Sequence, residues 1–244
     1  MPDHRDFKYG VYKPDVLQGS LPTAVDIRNY MPAVYDQGQL GACTGNGIAA
    51  CLAYLRIQDS ALPDWNPSRL FIYYGERVIE NTVNSDAGAE IRDGIKVVAT
   101  LGAPPESKWA YNVAKFATKP TKAAYNEAIK HKAMTYYRVD WSKLDEVKTC
   151  LAAGFPIVFG FSVYEAFEGP DVARTGVLHM PAKSEKLLGG HCVVLCGYND
   201  ATEQFLVRNS WGSDWGQNGY FWMPYEYVTS PDLSDDFWTI RATM

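Results

Sequence analysis

The stretch DQGQLGACTGNG, Asp36 to Gly47, packs four glycines around one cysteine immediately ahead of an apolar run. Behind it, Ile48, Cys51, Leu52 and Leu55 recur at i, i+3, i+4 and i+7, the spacing of one helix face. Cys43 therefore stands at the mouth of a predicted helix. Three readings of it are open: a core residue, half of a disulfide, or a nucleophile. A catalytic thiol needs partners that sequence adjacency rarely supplies, so the rest of the chain decides.

Working outward, the first half reads as helical. NPSRLFIYYGERVIE offers Asn66 as an N-cap and Pro67 at the first helical position. EIRDGIKVVATLG repeats an apolar pattern at Ile91, Ile95 and Val98, with Gly102 to stop it. SKLDEVKTCLAAG has Ser142 and Asp145 at capping-box spacing and ends at Gly154. After that the signal is strand: PIVFGFSVY, HCVVLCGYN, QFLVRNSW, GYFWMPY and DFWTIRAT, separated by turn residues. Helices followed by strands predict an α+β protein of two lobes. The helical lobe is expected over about 21–135 and the β-rich lobe over about 136–244. Residues 1–20 carry few core-type residues and read as an extended arm.

Composition narrows the class. The chain has 244 residues, enough for a substantial core; 47% are hydrophobic and 21% charged, the balance of a soluble globular protein. A net charge of −5 without a basic run argues against nucleic acid and anionic membranes as partners. No apolar stretch approaches the ~20 residues of a membrane span. The polar start MPDHRDFKYG lacks the h-region of a signal peptide, so a cytosolic protein, or one already trimmed of export sequences, is expected. Five cysteines, at 43, 51, 150, 192 and 196, give an odd count, and no disulfide framework is expected. Cys192 and Cys196 share a face of one predicted strand. Without a further Cys/His cluster they read as small buried hydrophobes rather than metal ligands. No cofactor or metal is expected.

Of four histidines, His4 falls in the arm, His131 in AIKHKA reads as a solvated helix face, and His179 as a surface loop. His191 differs, because it follows Gly189-Gly190 and starts an apolar strand. No HExxH, EF-hand loop or GxSxG elbow is present. RNSWGSDWGQNGYFWM places Asn209 at the end of a strand, with Trp211 and Trp215 flanking a glycine-rich turn. It reads either as an aromatic corner or as an amide that orients a histidine under an indole.

Taken together, QGQLGAC, GGHCVVLCGY and VRNSWGSDWGQNGYF resemble, in order, the three motif blocks of the papain family of cysteine peptidases. The Cys43-to-His191 separation, 191 − 43 = 148, falls in the ~130–150 residues this arrangement shows. The resemblance runs from about Leu21 to the C-terminus. It implies a papain-like fold, with a helical lobe, a β-barrel-like lobe and the active site between them. It also implies Cys43 as nucleophile, His191 as its imidazolium partner, Asn209 as the orienting amide and Gln37 in the oxyanion hole. The implied activity is endopeptidase, acting on peptides or proteins as a monomer. Two rivals stand beside it: a catalytically silent binding relative, and a ligase or transpeptidase on the same fold.

The resemblance also assigns substrate contacts: Gly88 in a backbone-binding loop, and Cys192, Gly160 and Asp235 around the pocket for the side chain two residues before the scissile bond. Trp211 and Trp215 flank the site. The chain departs from the family at Thr44, where Trp usually follows the nucleophile, and at Leu40, where a disulfide-bonded cysteine usually stands. Gly190 replaces the usual Asp or Asn before the histidine. These departures, and the lack of a long inhibitory propeptide, suggest a bacterial-like branch. The arm, residues 1–20, is a candidate short prosegment lying in the cleft.

Overall fold

The computed structural model describes residues 6–12, 20–59 and 65–243. In chain order its elements begin with α1 (Tyr9–Tyr12), β1 (Ala24–Asp26), α2 (Cys43–Gln58), α3 (Arg69–Glu80), α4 (Ile91–Thr100) and α5 (Lys122–Ala128). They continue with β2 (Ala133–Arg138), α6 (Leu144–Ala152), β3 (Ile157–Tyr164), α7 (Pro170–Thr175) and β4 (Leu187–Asn199). The last are β5 (Gln204–Arg208), β6 (Tyr220–Pro224), α8 (Tyr225–Thr229) and β7 (Ser234–Thr243). The elements group into two compact units, which interleave along the chain. One holds the described residues up to Asn29, Val34–Asp36 and Tyr137–Thr239; the other holds Tyr30–Ala33, Gln37–Tyr136 and the residues from Ile240. Residues 21–29, expected with the helices, fall in the sheet unit because β1 pairs antiparallel with the far end of β4, Val25 opposite Tyr198.

In the helical unit, α2 is buried from Thr44 to Leu55. It is a central rod enclosed on every side, not the one-faced helix its apolar spacing predicts. Glycines let its neighbours come close. A Cβ at Gly45 would meet the Arg69 carbonyl, one at Gly75 the Val97 side chain, and one at Gly94 the Glu76 carboxylate and Ile48. Each helix thus contributes a residue with no side chain where backbones cross, as ridge-and-groove packing at short separation requires.

Two expected helix starts are corrected. The cap of α3 is Ser68, whose Oγ accepts from Phe71 N–H at 3.1 Å and donates to the Trp109 carbonyl at 2.6 Å. Asn66 and Pro67 lie outside the helix, because Pro67 bridges Pro105 and the Asn66 carbonyl accepts from Glu106 N–H. Before α6, Ser142 donates to the Asp140 carboxylate and does not cap. The carboxylate that reaches back is Glu146, accepting from Asp140 N–H at 2.9 Å, not Asp145.

The sheet unit follows the predicted strands closely, with strand order β7-β3-β4-β5-β6 and β1 added on β4. Its core is aromatic: Phe159 stacks on Phe237 at 4.6 Å, and Phe161, Phe167, Phe205, Phe221 and Tyr227 are buried beside them. β2 escaped the sequence reading, since AMTYYR buries only Ala133 fully and shows no apolar run.

The arm is also corrected, in part. Its described residues are docked: Tyr9 is fully buried in the core of the sheet unit, and the Phe7 carbonyl accepts from Arg138 N–H at 2.7 Å. The rest of the proposed prosegment, residues 1–5 and 13–19, lies outside the described residues. Tyr9 meets Tyr137 edge-on at 6.2 Å, so one short segment supplies a large aromatic to that core. Tyr9→Ala is expected to destabilise the protein by about 3 kcal/mol, read by urea denaturation. Deleting residues 1–20 should cost a similar amount.

Candidate active site

Cys43 is the first residue of α2, and the other four cysteines are buried while it is partly exposed. Ala42 stands at the N-cap and has no side chain with which to cap the first turn. The positive end of a 16-residue helix therefore begins at the thiol, where it favours an anion. The loop ahead of it is fastened from outside. Asn46 Nδ2 donates to the Ala42 carbonyl at 2.8 Å, and Asn46 Oδ1 accepts from Arg69 at 3.2 Å. Arg69 is paired with Glu106 at 2.6 Å and lies over the Tyr111 ring. Burial pushes the Tyr111 phenol up to about 12, so it remains a donor, and it gives its proton to the Gln37 carbonyl at 2.9 Å. Gln37 is itself buried, and its side-chain Nε2 donates to the Leu40 carbonyl at 2.9 Å. An amide nitrogen carries two hydrogens, so this bond commits one of them.

Thr44 fits its site differently from the large indole usual in the family. Its Oγ donates to Glu76 Oε2 at 2.7 Å, and both side chains are buried. Desolvation drives the Glu76 carboxyl up to about 8 against the Thr44 hydrogen bond; Glu80 and Asp93 add repulsion, and Arg77 opposes it. At neutral pH the buried acid is therefore largely protonated.

The other half of the expected site lies in the sheet unit. His191 sits in β4, which starts four residues earlier than predicted, at Leu187. Its Nε2 is 2.8 Å from Asn209 Oδ1. The same oxygen accepts from Ser210 N–H at 2.8 Å, so it cannot be the amide nitrogen, and His191 Nε2 must carry the proton. In the neutral ring Nδ1 then holds the lone pair. Asn209 is held in turn by its N–H to the Gly219 carbonyl. Trp211 stacks on the imidazole at 5.0 Å and Phe161 and Phe167 close around it, while Trp215 meets Trp211 edge-on at 5.4 Å. Trp211 is anchored by a bridge to Asp36, the residue before Gln37. Burial lowers the His191 pKa to about 4, with the Asn209 bond only partly offsetting it, so the imidazolium that the resemblance implies needs a thiolate beside it.

The residues expected around a substrate pocket form one row across three strands. Gly160 of β3 is opposite Cys192 of β4 on one side and Asp235 of β7 on the other. Asp235 is exposed and Cys192 buried, with no side chain between them. Gly88, in the other unit, lies in the loop before α4 with φ +75°. Trp211 and Trp215 serve as the wall over His191. His131 is not on a solvated face: it packs on Trp65 at 5.0 Å, 3.3 Å from Arg56 and 3.4 Å from Glu127. The sequence reading missed Glu76, Arg69, Tyr111 and Asp86 altogether. Each is a polar residue in an apolar or loop context, and the helical register alone assigns it no partner.

Residues 21–234 match the model of a family described as papain family cysteine protease. A protein of Acanthamoeba polyphaga mimivirus described as an uncharacterised peptidase C1-like protein is 43% identical over 238 residues, 94% of this chain and 76% of that one. Xylellain, a cysteine protease from Xylella fastidiosa, superposes with a TM-score of 0.91 at 44% identity, over 99% of this chain and 93% of that chain. A cysteine protease of Carica candamarcensis solved in complex with E-64 shares the fold, with a TM-score of 0.67 at 19% identity over 91% and 99% of the two chains. The α+β fold is thus that of a papain-like cysteine protease. The chain belongs to the papain family.

The two shifted groups act on stability in opposite directions. The folded pKa of His191 is depressed, so its contribution is complete above about 6.5 and lost as pH falls toward about 4. That of Glu76 is raised, so its contribution is complete below about 4.5 and lost as pH rises toward about 8. Thermal denaturation across pH 4–9 should show a falling Tm on the alkaline side that Glu76→Gln flattens. An identical slope in the variant would remove Glu76 as its cause.

Proposed function

We propose that this cysteine protease hydrolyses peptide bonds through Cys43, His191 and Asn209, by way of a thioester acyl-enzyme. The observation that carries the reading is the doubly occupied Asn209 Oδ1, which fixes the protonated nitrogen of His191 and leaves Nδ1 as the base. In this scheme Nδ1 takes the Cys43 thiol proton, and the thiolate attacks the scissile carbonyl carbon. The carbonyl oxygen becomes an oxyanion, which accepts from the Cys43 backbone N–H and from the second N–H of the Gln37 amide. The intermediate collapses, the C–N bond breaks, and the imidazolium gives its proton to the leaving amine. Water, deprotonated by the same ring, then cleaves the thioester and returns the proton to sulfur. Because burial disfavours the imidazolium, charge on the ring is confined to the steps in which a thiolate or oxyanion is also present.

Epoxysuccinyl peptides such as E-64 alkylate this kind of nucleophile and test the assignment directly. One equivalent of E-64 is expected on Cys43 by mass spectrometry, with peptide hydrolysis lost in step. Cys43→Ala should take none, and His191→Ala should slow labelling by about 100-fold or more. Labelling at another cysteine, or none under reducing conditions, would overturn the reading. Labelling without peptide turnover would favour a silent relative instead.

For side-chain preference, we propose that the row Cys192–Gly160–Asp235 forms the pocket for the residue two before the scissile bond. Gly160 leaves the space, and the exposed Asp235 carboxylate offers a partner for Arg or Lys. An exposed ion pair is worth little, so the expected effect is modest. Asp235→Ala should lower the ratio of kcat/KM for Arg over Leu at that position by about three- to five-fold. An unchanged ratio would dismiss Asp235 as a determinant.

A further inference from the structure

The family's usual disulfide cannot form at Leu40, yet the loop beside it is not unsecured. Gly41 N–H donates to both oxygens of the Asp86 carboxylate, at 3.1 and 3.0 Å. Tyr73, buried on α3, donates its hydroxyl to Asp86 Oδ1 at 2.5 Å. Burial, and then the Asp86 bond, raise the Tyr73 phenol well above its ordinary range, which keeps the proton on this oxygen. One turn further along α3, Arg77 stacks on the Tyr73 ring at 4.0 Å and donates to the carbonyls of Val83 at 2.8 Å and Ser85 at 3.4 Å. The segment carrying Asp86 is thus held by α3 from two sides.

The partners of this carboxylate are close to the proposed chemistry in sequence and in space. Gly41 precedes Cys43 by two residues, and Asp86 precedes Gly88 by two. A Cβ on Gly41 would lie 3.1 Å from Asp86 Oδ1 and 3.5 Å from Gly88 N. A side chain there would crowd Asp86 Oδ1, which would have to give by a few tenths of an ångström. Charge-assisted bonds to a carboxylate are about twice as strong as neutral ones, so two donors on one carboxylate make a firm but reversible fastening.

We infer that Asp86 is a positioning residue for substrate binding: its carboxylate clasps the loop before the nucleophile to the Gly88 loop. This inference rests on the peptidase reading, with Gly88 binding the substrate backbone. The fastening needs no oxidant and no second thiol. It sets the distance between the residue that attacks and the backbone that holds the peptide, while α2 and its Asn46 contact hold Cys43 independently. Asp86 touches neither the substrate nor the thiol; it acts through the two loops.

The test compares wild type with Asp86→Ala, Asp86→Asn and Tyr73→Phe. Two substrates are used: a peptide extending four residues before the scissile bond, and a single-residue ester that does not reach the Gly88 loop. Asp86→Ala is expected to raise KM for the peptide about tenfold or more, with ester kcat/KM and the rate of Cys43 alkylation by iodoacetamide within twofold of wild type. Asp86→Asn keeps an acceptor oxygen and should recover most of the peptide KM. An unchanged KM in Asp86→Ala, or an equal fall in peptide, ester and alkylation rates, would overturn the inference. Should Asp86→Ala not fold, Tyr73→Phe is read the same way, with about a threefold rise in peptide KM expected and no rise as the refuting result. Amide hydrogen exchange at Gly41 gives a reading independent of turnover, expected to be at least tenfold faster in Asp86→Ala, with a smaller rise in Tyr73→Phe, and an unchanged rate in both refutes the clasp. A wild-type protein that cleaves neither substrate defeats the peptidase reading. The clasp then stands or falls on the exchange rate alone.

Discussion

The bond between His191 Nε2 and Asn209 Oδ1 is the constraint on which the rest of the proposed chemistry depends. It lies inside an aromatic enclosure of Trp211, Phe161 and Phe167, where a charged ring is disfavoured and a misdirected one could not be repaired by water. The enclosure makes the hydrogen bond strong and the tautomer single, because Ser210 N–H claims the same oxygen. Much of the sheet unit serves that arrangement. β4 holds the histidine rigidly, β5 ends just before Asn209, and the aromatic core behind them leaves the ring little room to turn. The cost is a group with its pKa near 4, which makes the unit less stable in acid.

The helical unit solves a different problem. A cysteine at the start of a helix needs its backbone fixed, but the N-cap is alanine and contributes no side chain. The fixing comes from groups that converge on the loop from α3 and beyond, Arg69 through Asn46 and Tyr111 through the Gln37 carbonyl, while Asp86 bonds separately to Gly41. Thr44 adds a contact to Glu76, a buried acid kept protonated by its surroundings. These are polar bonds in dry surroundings, where losing one partner leaves the other unsatisfied.

Local signals in the sequence read well where a single segment decides its own state. The predicted strands from 156 onward reappear with small changes at their ends, since alternation and turn residues act over a few positions. The helix at Cys43 reads correctly as a helix, but its burial on all sides does not follow from its apolar face. The starts of α3 and α6 were misplaced for one reason. Several residues nearby could cap; the Pro67 bridge to Pro105 chose among them at α3, and the bonds of Asp140 with Ser142 and Glu146 did so at α6. Tyr9 and His131 were misread similarly: a tyrosine in a polar arm and a histidine between lysines look solvated until a core or an indole arrives from elsewhere in the chain.

The sequence by itself determined the order and identity of the chemical groups: a cysteine opening a helix, a histidine opening a strand, and an asparagine before a tryptophan turn. Covalent order and residue type suffice for that, because the motifs are short and contiguous. Tertiary structure alone decided which nitrogen of His191 carries the proton, that burial lowers its pKa, and that Asp86, Glu76 and Tyr111 bond to residues on either side of Cys43. Those outcomes depend on desolvation and on bonds between residues tens of positions apart. Neither exists until the chain has folded and removed water from around the groups concerned.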